Sequence, residues 1–160
     1  MFNVIIYLFE SFFAFNQTEQ TDEINEKEIE TVLLQEGFNQ QDVIKAMNWF
    51  SDLQHIYEKR SASITNMPQD DSYRIYTEKE IIRLSKQNRG FIMYLEQADI
   101  LTAISRELVI DCVMSLDNIG LRQYDFQWLV LMVLYNDPQD KHAYQKLESI
   151  LFDVDIAIIH

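Results

Sequence analysis

The chain has 160 residues, enough for one core or a core with a small satellite, and 48% of them are apolar, which argues against disorder. It carries 26 acids against 13 bases, and the net charge of −13 opposes non-specific binding to DNA or to an anionic membrane. Three Gly and two Pro are too few for the turns of a sheet-rich protein, and a single cysteine, Cys112, excludes an internal disulfide and fits a reducing compartment.

The charge is uneven. Residues 1–57 hold ten acids and two bases, 58–117 ten and eight, and 118–160 six and three, so the first third is an acidic unit. The opening MFNVIIYLFESFFAF is apolar, yet it lacks a basic leader, contains Glu10 and is followed by no small-residue cleavage site. Ile5, Leu8, Phe9 and Phe12 recur at helical spacing, with Asn3 and Glu10 on the other side, so the stretch reads as an amphipathic helix packed on a core. A polar loop, FNQTEQTDEI, follows. Asn25 then caps a second helix, with Glu28 closing a capping box and Ile24 stapling onto Ile29. Ile29, Val32 and Leu33 form its buried stripe, and Gly37 stands where a left-handed residue ends a helix. Asn39 caps the third helix, with Phe38 and Val43 as the staple and Val43, Met47, Phe50, Leu53 and Tyr57 in line. The short turn makes these two helices a hairpin of neighbours.

Residues 58–72 show no periodicity and contain Ser, Thr, Asn, Asp and Pro68, which predicts a mobile linker. After a short extended segment, Thr77 and Glu80 form another capping box, with Tyr76 and Ile81 as the staple, opening a helix to about Gln87. Gly90 falls near the start of the next helix, which carries Phe91, Tyr94 and Leu95. A further helix over about 103–116 aligns Val109, Val113 and Leu116. From Trp128 to Tyr135 every residue is apolar, which marks a helix buried on all sides and too short to cross a bilayer. Asp137 and Pro138 stop it and open the last helix, whose stripe is Ala143, Leu147, Ile150, Leu151 and Val154. The apolar tail DIAIIH is free to dock. The expected fold is all-α: seven to eight helices around a central buried helix at about 122–136. Its parts are an acidic helical unit over 1–57 containing the hairpin, the linker over 58–72 and a helical bundle over 73–160.

Little in the chain points to catalysis. His55, His142 and His160 share no ligand spacing with one another or with Cys112, so no metal is expected. Cys112, between Ile110 and Val113, reads as a buried small hydrophobe with no base to activate it. No phosphate loop, dinucleotide fingerprint or nucleophile elbow occurs, and no cofactor is expected. The chain is therefore expected not to be an enzyme.

Two features stand out as candidate sites. Arg74, Lys79, Arg83, Lys86 and Arg89 form a basic cluster, with Lys79, Arg83 and Lys86 on one helix face. The cluster could meet phosphates or an acidic partner; the plainer account is a solvated or internally paired face. The second is LLQEGFNQQDVIKAMNWF, which resembles the start of a ubiquitin-associated-type three-helix module. Such modules offer a small apolar patch at the Gly-Phe turn, here Gly37 and Phe38; the plainer account is a helix cap with a staple. Trp49 falls off the main stripe of its helix, and an exposed Trp there would be an interface anchor.

The opening MFNVIIYLFESF, then RIYTEKE, RGFIMYLEQADIL, RELVIDCVMSLDN and WLVLMVLYN, together resemble the bacterial Smg family over essentially the whole chain. The resemblance implies a small, cytosolic, helical protein of no assigned biochemical activity, whose genes often neighbour those of a DNA-processing protein and a topoisomerase-like protein. It transfers no functional residue. The resulting expectation is a cytoplasmic protein-interaction module or regulator with an unidentified protein partner and no membrane. Nucleic-acid contact through the basic face is the rival, and mimicry of nucleic acid by the N-terminal acids a third option.

Overall fold

A computed structural model describes residues 1–13, 26–63, 74–117, 120–137 and 141–159. All elements among them are helical: α1 (Phe2–Leu8) with a π-helical turn at Phe9–Phe13, α2 (Glu26–Gln35), α3 (Gln40–Ser63), α4 (Glu78–Arg83), α5 (Lys86–Gln97), α6 (Ala103–Met114), α7 (Gln123–Tyr135) and α8 (Lys141–Ile159). The all-α expectation holds. None of these helices is long and apolar enough to cross a membrane. The expected cap Asn25, its neighbour Ile24, Pro138 and His160 lie outside the described residues, as do the side chains of Phe12, Val154 and the tail.

The chain divides into two compact units, Met1–Gln54 and His55–His160. The expected linker is helical through Ser63, because α3 continues past Tyr57; residues 64–73 lie outside the described residues. In the first unit the apolar side of α1 buries Phe2, Val4, Ile5, Leu8 and Phe9, while Asn3 faces water. The Met1 ammonium meets Asp42 at 3.1 Å. The buried line of α3 in this unit runs through Val43, Ala46, Trp49 and Leu53.

In the second unit α7 is the centre. It packs on α5, α6 and α8, and Phe126 and every residue from Leu129 to Leu134 are buried, as an unbroken apolar run requires. α6 contributes Leu108, Val109, Ile110, Cys112 and Val113, and α8 contributes Ala143, Tyr144 and Leu147. The expected helix from 78 to about 87 is in fact two. Leu84 adopts an extended backbone (φ −102°, ψ 105°), and Ser85 caps α5 by accepting from the Asn88 N–H at 3.1 Å. Gly90 consequently lies inside α5 rather than near its start. The Thr77–Glu80 capping box forms as expected, and Ile81 is half exposed.

Several helix ends are closed by side chains from distant parts of the chain. Near the end of α7 the Val133 carbonyl is met by the Tyr57 hydroxyl. The Arg83 guanidinium donates to the Leu116 carbonyl just beyond α6, and Asn88 Nδ2 donates to the Leu121 carbonyl at 3.0 Å. Each closes a carbonyl that a helix end or turn leaves open.

Candidate functional site

The hairpin turn is built as the sequence implies. Gly37 has φ +90°, its N–H bonds the Leu34 carbonyl at 3.2 Å, and the Phe38 N–H reaches back to Leu33 at 3.2 Å, the double closure of a Schellman motif. Asn39 Oδ1 accepts from the Gln41 N–H at 2.8 Å and opens α3. Gly37 is exposed, but Phe38 is half-buried with its ring edge-on to Tyr7 at 5.3 Å. Trp49 does not stand out as an anchor: it is 3% exposed and packs edge-on against Phe50 at 5.3 Å. The helix is rotated toward Ala46. At about 100° per residue, Val43 and Trp49 lie about 60° to either side of the small Ala46, with Leu53 nearly in line with it, and Met47 moves to the rim.

The basic cluster does not form one face. The break at Leu84 puts Lys79 and Arg83 on α4 and Lys86 and Arg89 on α5. The three arginines are engaged internally. Arg74 forks onto both oxygens of Glu80 at 2.8 Å and reaches Glu107 at 2.6 and 3.0 Å. It also lies over the Tyr76 ring at 4.9 Å. Hydrogen bonding to Arg74 holds the Glu80 carboxyl at about 2. Burial pushes Glu107 up, but the bonds and charges of Arg74 and Arg106 outweigh it and leave its pKa lowered. Arg83 closes the Leu116 carbonyl, and Arg89 donates to the Leu84 carbonyl at 2.9 Å. Lys79 and Lys86 are exposed.

A cleft of about 420 Å³ is lined by Ile56, Lys59, Arg60 and Asp111. Arg60 Nε donates to Asp111 at 2.9 Å, so the two central charges in it answer each other. Cys112 is buried, and desolvation raises its thiol pKa far above the ordinary range, which keeps it a protonated, unreactive group. His55 is exposed beside Glu58 at 3.7 Å, and His142 is exposed.

The site that sequence reasoning missed runs along the α7–α8 hairpin. Tyr124 meets Trp128 edge-on at 6.3 Å, and Trp128 meets Phe152 edge-on at 5.8 Å. Farther along, Tyr135 meets Tyr144 at 5.2 Å. The earlier ring of α7 thus meets the later ring of α8, so the helices run antiparallel with an aromatic seam between them. Glu148 sits between the two ring clusters, one helical turn from Tyr144 and one from Phe152, and the Tyr144 hydroxyl donates to it at 3.1 Å. Burial, with the Glu148 charge adding to it, pushes the Tyr144 phenol up to about 12. The seam opens to water at one end: Tyr124 is 61% and Phe152 41% exposed. Arg122, beside it, is answered by Asp125 at 2.8 and 3.3 Å. The i, i+4 spacing of Tyr124 and Trp128 was the available signal; Phe152 joins only through helix packing.

The family model described as "Protein of unknown function (DUF494)" matches residues 1–160. The chain is 39% identical over 160 residues to "Protein Smg" of Serratia proteamaculans, covering 100% of both chains. It is 37% identical over 160 residues to "Protein Smg homolog" of Vibrio atlanticus and to that of Shewanella woodyi, covering 100% of this chain and 99% of each relative. No solved structure matches. The match from the first residue to the last, in an all-helical chain, shows that the protein belongs to the bacterial Smg family.

Proposed function

We propose that the chain is a non-enzymatic cytosolic module that acts by binding another protein. The observation that supports this reading is the open end of the aromatic seam, Tyr124–Trp128–Phe152. Large rings left in water lose the stabilisation that burial brings, and protein interfaces favour Tyr, Trp and Phe at their centres. A regulator linked to DNA processing is the narrower form of the reading, and its support is the gene neighbourhood of the family alone. The nucleic-acid rival is weakened, because Arg74, Arg83 and Arg89 already hold internal acceptors and the chain carries −13.

The test is a photo-crosslinking amino acid placed at Tyr124 in the full chain, expressed in its own host. A discrete protein adduct at position 124, missing when the same group stands at the exposed Lys141, is the expected result. No adduct at 124, or equal adducts at both positions, overturns the reading. Salt-sensitive DNA or RNA binding that is lost on Lys79→Glu would also overturn it in favour of the rival.

A further inference from the structure

We propose that the α7–α8 seam receives an arginine-bearing, positively charged segment of the partner protein. This deepens the interaction reading above and rests on it. Three observations select the chemistry. First, the two outer rings of the seam, Tyr124 and Phe152, are 61% and 41% exposed, so an incoming group can reach them. Aromatic faces attract cations, and a guanidinium, being flat and weakly hydrated, stacks on them better than an ammonium. Second, the exposed Glu148 carboxylate stands between the ring clusters, with one oxygen bonded by Tyr144 and the other able to accept from a guanidinium fork. Third, the positive charge closest in sequence to the open end, Arg122, is matched by Asp125, so it presents no barrier to an incoming cation.

Charge also decides between occupants. A chain of −13 steers cationic segments toward itself and repels a second copy or a nucleic acid. A neutral apolar peptide would bury the rings but leave the Glu148 charge uncompensated.

The experiment titrates the isotope-labelled full chain with hexa-arginine, hexalysine and hexaglutamate peptides at moderate salt, followed by amide and indole resonances. Hexa-arginine is expected to shift the Trp128 indole N–H and the amides of Tyr124, Glu148 and Phe152, with hexalysine binding more weakly and hexaglutamate not at all. Tyr124→Ala and Phe152→Ala should each weaken hexa-arginine about tenfold, roughly 1.4 kcal/mol, and Glu148→Gln should weaken it severalfold. Phe152→Leu keeps apolar bulk without a ring, so its loss of binding with unchanged circular dichroism separates recognition from folding. Shifts confined to residues 1–54, with affinity indifferent to these variants, overturn the proposal. So does a concentration-dependent dimer abolished by Phe152→Leu, which would make a second copy the occupant. The two readings fail separately. An adduct at position 124 with a segment lacking Arg and Lys overturns the charge assignment alone, whereas no adduct overturns the interaction reading beneath it.

Discussion

Replacing Arg74 by Ala tests whether α4 is held by charge. Arg74, Glu80 and Glu107 are 18%, 13% and 16% exposed in their side chains, so the substitution leaves two carboxylates largely out of water with their main partner gone. Holding the Glu80 carboxyl at about 2 is worth about 3 kcal/mol, at about 1.4 kcal/mol per tenfold change in proton affinity. Breaking a buried pair by removing one member costs about 3–5 kcal/mol, and the residual exposure here, with Arg106 still on Glu107, brings the loss below that range, to about 2–3 kcal/mol. With a urea slope of about 2 kcal/mol/M, the midpoint at neutral pH should fall by about 1–1.5 M. The measurement is urea unfolding followed by Trp128 fluorescence in a Trp49→Phe background, so that the reporter lies in the second unit. The sign with pH is definite. Both carboxyl pKa values are lowered in the fold, so their contribution is present above about pH 4.5 and is lost as pH falls toward 2. The gap between the parent and Arg74→Ala should therefore narrow on acidification. Arg74→Lys should fall between them, since an ammonium keeps the charge but not the fork. A cost under about 0.5 kcal/mol at neutral pH, typical of an exposed pair, or a gap that stays constant into acid, would refute the reasoning.

Asp99 closes α5 at φ 54°, with its N–H on Glu96 at 3.1 Å and the Ile100 N–H on Leu95 at 2.9 Å. Asp99→Gly should therefore raise unfolding free energy by about 0.5 kcal/mol and Asp99→Val lower it by about 1–2 kcal/mol, although the position is exposed. Leu129→Ala empties a fully buried site on α7 and should cost about 2–5 kcal/mol in chemical denaturation. The Cys112 thiol should stay unlabelled by a disulfide reagent in the native chain at mildly alkaline pH and react fully once urea unfolds it; rapid native labelling would contradict its burial.

Elements that rest on local signals were legible in the sequence. The uninterrupted apolar run fixed α7 as the central helix, and Thr77 with Glu80, Asn39 and Gly37 marked helix ends that the structure closes with the expected bonds. The break at Leu84 was also written locally, as Ser85 three residues before Asn88, but the periodicity around it masked the cap. Trp49 shows the opposite case. Its position on the helical wheel is rim-like only if Met47 and Tyr57 define the stripe, and which arc of α3 faces inward depends on what packs against it. The partners of the basic cluster were hidden for the same reason: internal pairing was the plainer account of these five cations within sixteen positions, yet Glu107 and the Leu116 carbonyl, which claim Arg74 and Arg83, lie a long way along the chain. The aromatic seam combines the two. Tyr124 and Trp128 share one turn, whereas Phe152 is brought in by the antiparallel packing of α8.

The hydroxyl that Tyr57 lends to Val133 and the guanidinium that Arg83 lends to Leu116 have a consequence for how this protein can vary. A donor anchored on one helix can serve an acceptor on another only while both stay in register. Inserting or deleting a residue near the end of α6 or α7 would carry the acceptor away from its donor and around the helix axis. Helix length and the identity of these two donors should thus drift together among relatives, with indels tolerated only where Tyr57 or Arg83 has also been replaced.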